Sequence, residues 1–359
     1  MTERSLPRLV FITYYRLVPT GQIGIFKRCM RLISGMLDDF EIHLVNFGPL
    51  PYTDRLFASI APRITIHATP DEGLGDALRD LYVELDPEAV IIGETPIRGS
   101  MRMAHRVASH LGLWQVAIDN YYGSLFPGSF TREWPRIDRW LVIGLTLNGN
   151  PTARDGGTLV VPPLIRFPEG FAQGLERDRF AILGYDKQTL LTGTRLLARL
   201  PADQNVDIFI APQWEEFLRR QPVDLDRPGV RVLMLPSDDE LYGSLARSRF
   251  ILGKAGFQQV VEGLLLGAPI VCQEAGGGLA DHIVSDYLKP YVRFVRSDED
   301  LPKVLYDVAF WLAGPPVTKW AKMASDVPDP ISYGAQHLAA LVAEGNEGSE
   351  RRQRTAKRA

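Results

Sequence analysis

The chain alternates short apolar strand candidates with helix candidates twice over, and a proline-rich stretch separates the two series. Such alternation is the pattern of a parallel sheet whose crossovers are helices. In the first series the strand candidates lie at residues 9–13, 41–47, 64–68, 89–92, 114–118 and 140–143. The clearest helix, at 22–37, carries Ile25, Phe26, Cys29, Met30, Ile33, Met36 and Leu37 on one stripe, and a second is expected at 101–111. Val161-Pro162-Pro163 and Phe167-Pro168-Glu169-Gly170 then break the pattern. The second series runs strand 180–183, helix 188–199, strand 206–211, helix 214–220, strand 230–233 and helix 241–246, with Ser237 and Glu240 spaced for a capping box. The expectation is an α/β chain of two Rossmann-like domains, 1–163 and 164–343. The tail 344–359 is polar, carries Arg351, Arg352, Arg354, Lys357 and Arg358, and is expected to be disordered.

Composition narrows the function classes. At 359 residues the chain exceeds what one core usually supports. Its 45% hydrophobic and 23% charged content is that of a globular protein, and a net charge of −3 gives no general attraction to nucleic acid. Two cysteines, Cys29 and Cys272, both in apolar stretches, argue against a disulfide framework and for a reducing compartment. No secretory h-region and no uninterrupted apolar stretch of about 18 residues is present, so a cytoplasmic protein is expected. Membrane contact through the basic tail would be peripheral at most. Asp224-Leu225-Asp226 lies in a polar loop, and His105 and His110 are five apart and do not share a helix face, so no metal site is indicated.

Residues 249–271 carry the most chemistry. An apolar run ends at Gly253, a tight loop follows with Lys254 and Gly256, residues 257–266 have helical spacing, and Gly267-Ala268-Pro269 turns into another apolar run. A helix start offers free amides and a positive dipole end, so Lys254 and the amides of Phe257, Gln258 and Gln259 make a diphosphate seat. Glu262, further along the same helix, can accept hydrogen bonds from two vicinal hydroxyls such as a ribose presents.

Gly253, Lys254, Gly256, Gln259, Glu262, Gly267 and Pro269 resemble the nucleotide-half motif of GT-B glycosyltransferases related to MurG and to the plant and antibiotic glycosyltransferases. Lys254 stands where that family has His or Arg, and Gln259 replaces its usual Ser or Thr. The resemblance implies two domains facing a cleft, the first binding the acceptor and the second the nucleotide sugar. Gly184 stands where the family has a glycine-rich loop beside the diphosphate. Gly277, Asp281 and His282 stand where it binds the donor sugar. In the first half, Gly24, Arg28 and Cys29 fit a loop shared with MurG and the UDP-sugar hydrolase PseG, but Ile25 replaces the histidine that acts in chemistry there. Gly24 fits either a ligand-facing loop or a plain turn.

An isoleucine takes no proton, so another base is needed for transfer. Asp119 follows a strand at its carboxyl end, and Glu94 ends a neighbouring one. Asp119 equally fits a turn cap. The resemblance implies transfer of a sugar from a nucleoside diphosphate donor, a UDP-sugar, to a small-molecule or lipid-linked acceptor. The nucleotide sugar is then a co-substrate and no cofactor is called for. Hydrolysis or epimerisation of a UDP-sugar, and a non-catalytic binding module, remain alternatives.

Overall fold

The structure, a computed structural model, describes residues 6–15, 24–70, 72–93, 99–119, 137–144, 152–171, 174–254, 256–273, 292–295, 300–303 and 326–356. The chain divides into two compact units, the first formed by residues 1–146, 152–164 and 330–359, the second by 147–151 and 165–329.

The first unit is a sheet flanked on both faces by helices. Its strands are β1 (Arg8–Tyr14), β2 (Glu41–Phe47), β3 (Thr65–His67), β4 (Ala89–Ile92), β5 (Gln115–Asp119), β6 (Arg139–Ile143), β7 (Ala153–Asp155) and β8 (Thr158–Val161), in the order β3-β2-β1-β4-β5-β6-β8-β7. All pairings are parallel except β7 with β8. Strand β1 shows why both faces need cover: successive side chains alternate, so Leu9 and Phe11 join one buried cluster and Val10 and Ile12 the other. The first cluster takes in α1 (Gly24–Ser34) and α2 (Arg55–Ile60), the second α3 (Leu74–Leu85) and α4 (Gly99–His110).

The first cluster is closed by the chain's last helix, Pro330–Ala356, which corrects two expectations. Residues 330–343 belong with the first unit rather than the second, and 344–356 continue a helix where a disordered tail was expected. Ala335, Leu338, Leu341 and Val342 recur at helical spacing and are buried. Trp114 donates through Nε1 to the Leu341 carbonyl at 3.0 Å, and Glu344 receives Arg139 at 2.6 Å and Arg154 at 2.7 Å. Glycine at 345 is required there, since a Cβ would stand 2.5 Å from the Trp114 ring. With its first turns docked, propagation through the Glu- and Arg-rich end needs no further packing.

The second unit contains β9 (Arg179–Gly184), α5 (Lys187–Leu197), β10 (Asn205–Ile210), α6 (Glu215–Arg219), β11 (Val230–Met234), α7 (Asp238–Ala246), β12 (Ser248–Lys254), α8 (Phe257–Leu265), β13 (Ile270–Gln273) and β14 (Val292–Val295). Its described strands are all parallel, in the order β11-β10-β9-β12-β13-β14. Each half therefore has the 3-2-1-4-5-6 order of a doubly wound sheet, as the alternating pattern implied. The capping box of α7 forms as expected: Glu240 N donates to Ser237 Oγ at 3.2 Å, and Ser237 N to the Glu240 carboxylate at 2.8 Å.

At the amino-terminal side of this sheet Asp207 is 1% exposed. Arg231 donates to both its oxygens, at 2.8 and 2.7 Å, and Arg179 to one at 3.1 Å. Burial pushes the Asp207 carboxyl up, but these hydrogen bonds outweigh it and hold the group below its ordinary value.

Candidate functional site

In an open parallel sheet the crevice for a ligand forms beyond the carboxyl ends of the strands where the order reverses. In the second unit that point lies between β9 and β12. Strand β9 ends at Gly184 and β12 at Lys254, and the pairing of Leu252 with Ile182, carried two residues on, sets Lys254 beside Gly184. Lys254 is exposed. Gly256, whose amide donates to the Lys254 carbonyl at 2.7 Å, begins α8 without any side-chain cap. Among the described residues no side chain caps the first-turn amides of the helix, which stand next to a cation. Gln259, one turn in, brings Oε1 to 3.5–3.6 Å from where a Cβ would stand on Gly253 and Gly256, and that oxygen is buried without a hydrogen-bond partner among the described residues.

Glu262 lies about 9 Å along the helix axis from Gly256, at 1.5 Å per residue. It is 7% exposed. Its Oε1 accepts a hydrogen bond at 3.0 Å from the hydroxyl of Tyr242 on α7, a residue with no exposure at all. Tyr185, directly after β9, belongs to the same neighbourhood. Burial first, then the negative charges of Glu262 and Asp238, raise its phenol above the ordinary value, so it stays a neutral donor. Trp214 in turn donates to the Tyr185 carbonyl at 3.1 Å.

The structure thus brings Gly184, Lys254 and Gly256 to one edge of one sheet, with Gln259 and Glu262 further along the helix that starts there. The glycine at 184 is explained by packing, since a Cβ would stand 2.3 Å from Leu190 Cδ2. The turn after it is closed by Asp186, which accepts from the Thr189 amide at 2.9 Å and its hydroxyl at 2.7 Å. Phe257 and Gln258 are the first residues of α8, with side chains outside the described residues, and Gly277, Asp281, His282 and Glu94 lie outside them altogether. Tyr242 was missed from sequence. Its one signal is a tyrosine on the Leu241, Tyr242, Leu245, Ala246 side of an otherwise polar helix.

In the first unit, Gly24 is the first residue of α1 and Asp119 the last of β5. Asp119 is at the expected carboxyl end but is 1% exposed. Ile25 is 6% exposed, with Cγ2 3.4 Å from a Cβ built on Gly93 at the end of β4. Position 25 thus serves packing. Arg28 and Cys29 on the same helix are also buried. Among the described residues no group of three or more His, Cys, Asp or Glu side chains is arranged to hold a metal ion, and no helix is long and apolar enough to cross a membrane.

No protein-family model matches the sequence, and no curated protein matches it. Solved structures do. The chain is similar to MurG of Acinetobacter baumannii, at 15% identity and TM-score 0.59 over 94% of this chain and all of that one. It is similar to a UDP-glucosyltransferase from Polygonum tinctorium, at 11% identity and TM-score 0.62 over 95% of this chain and all of that one. A UDP-N-acetylglucosamine 2-epimerase matches at 11% identity and TM-score 0.55, over 93% of this chain and 95% of that one. Likeness at these identities carries the fold: the chain has the GT-B fold of MurG, with two Rossmann-like units.

Proposed function

We propose that the chain is a glycosyltransferase that takes a sugar from a nucleoside diphosphate donor, a UDP-sugar, and passes it to a small-molecule or lipid-linked acceptor. The observation that carries this reading is the Lys254, Gly256 and Glu262 set on one strand-loop-helix at the β9/β12 reversal, with the start of α8 uncapped. The diphosphate sits on the α8 amides and Lys254, and the ribose diol on Glu262. Gln259 Oε1 faces the same loop as an acceptor for a ligand hydroxyl.

In the reaction the acceptor oxygen bonds to the anomeric carbon, the bond from that carbon to the diphosphate oxygen breaks, and the acceptor's proton passes to a carboxylate. Lys254 and the amides stabilise the charge that grows on the diphosphate. Asp119 is the base on this reading, with Glu94 the second candidate.

Ile25 favours a second reading. A packed aliphatic side chain occupies the position where the resemblance places a histidine that acts in chemistry, in transferase and hydrolase alike, which suits a module that binds the same donor without turnover. A thermal-shift screen against UDP, GDP, dTDP and CDP sugars tests the donor half: stabilisation by uridine nucleotides is expected, and no response to any of them would overturn it. Product analysis with water as the only acceptor then separates hydrolysis from transfer.

A further inference from the structure

Within the second unit one buried polar contact stands out against its surroundings. Tyr242, with no exposed surface, donates to Oε1 of Glu262, which is 7% exposed, at 3.0 Å. The two residues come from different helices, α7 and α8. A glutamate carboxylate ordinarily rotates freely about its last bond, because that torsion is broad and roughly two-fold. A rigid phenol held in the core removes that freedom. It takes one lone-pair site on Oε1 and fixes the plane in which the remaining sites of both oxygens lie.

We propose that Tyr242 is a positioning residue that aims the Glu262 carboxylate at a vicinal diol, and so makes the nucleotide half selective for ribonucleoside over 2′-deoxyribonucleoside diphosphates. The proposal rests on the nucleotide reading given above. A carboxylate whose plane is set meets two adjacent hydroxyls with two hydrogen bonds at once, whereas a rotating one gains little from the second. Phenol and carboxylate face each other across the two helices that follow β11 and β12, and the start of α8 on the same side supplies the phosphate end of the same ligand. Tyr185, under the electrostatic influence of Glu262, adds a second neutral phenol to the surroundings of that carboxylate.

The test compares UDP with 2′-deoxy-UDP by titration calorimetry on the whole chain and on Tyr242→Phe. The unmodified protein should prefer UDP by about tenfold to a hundredfold, the value of one charge-assisted hydrogen bond. Tyr242→Phe should reduce that preference to within about threefold while leaving 2′-deoxy-UDP affinity nearly unchanged, because only the second hydroxyl depends on the aim. Glu262→Asp draws the carboxylate back from Tyr242 by one methylene and keeps its charge, so it should lose the same preference if Tyr242→Phe does not fold. A Tyr242→Phe protein that keeps the full preference overturns the positioning role, as does an equal fall for both nucleotides. Failure of the unmodified protein to bind UDP at all overturns the nucleotide reading instead.

Discussion

Replacing Glu262 with alanine separates what this side chain does for the fold from what it does for a ligand. In the folded chain its Oε1 takes the hydroxyl of Tyr242, and both residues are buried. Removing the acceptor leaves the phenol without that bond in the core, which costs about 1–3 kcal/mol of stability. The same change removes the acceptor for a ribose diol, and loss of charged hydrogen bonds of about 1.5–3 kcal/mol corresponds to a weakening of UDP binding by about 10- to 150-fold. The two effects are read independently. Urea unfolding of the free protein reports the first, and calorimetric titration with UDP at a temperature where the variant is fully folded reports the second. Unchanged UDP affinity in a folded Glu262→Ala protein would refute the ribose assignment. A loss of affinity no larger than the loss of folded protein would refute it equally.

Asp119→Asn should abolish turnover and leave UDP affinity as it was, since Asp119 sits in the other unit; near-normal turnover, measured as product formed per minute, would remove it as base. Gly345→Ala places a methyl 2.5 Å from the Trp114 ring and should destabilise the first unit by about 1–3 kcal/mol, seen as a lower urea midpoint; an unchanged midpoint would contradict the docking of the last helix. Burial, then the charge of His43, lowers the His67 imidazole below its ordinary 6.5, against an opposing pull from Glu84. Between the lowered value and 6.5 the unfolded chain binds the proton and the folded one does not, so stability should fall as pH drops below about 6.5. Thermal melts from pH 8 to pH 5 on the unmodified protein and His67→Gln check the sign, and an identical slope in both would dismiss His67 as its source.

How far the sequence reaches differs from element to element. Short apolar runs located β1 to β6 and β9 to β13; most of these strands are buried on both faces and read as continuous apolar stretches, while β3 and β11, at the ends of their strand orders, are more exposed. The β7–β8 hairpin, the short strand β14 and the helices α2 and α3 went unpredicted. In the candidate site, Lys254, Gly256 and Glu262 were legible because one strand-loop-helix holds all three. Tyr242 was not, for its partner lies 20 residues away on another helix. Ile25 was read correctly as unable to carry a proton, while its packing against Gly93 needed the sheet to be formed.

The sequence by itself determined what is local in the chain: the alternation of strands with crossover helices, the break at 161–170, the capping box of α7 and the uncapped start of α8. Each depends on residues within a turn or a strand of one another, where sterics and hydrogen bonding act directly. Only the tertiary structure decided that the last 27-residue helix returns to the first unit, and that Lys254 stands beside Gly184 at a strand reversal. It also decided that the Glu262 carboxylate is held by a tyrosine from the preceding helix. Those outcomes depend on pairing between segments far apart in the chain, selected by the burial of apolar faces that many partners could have covered.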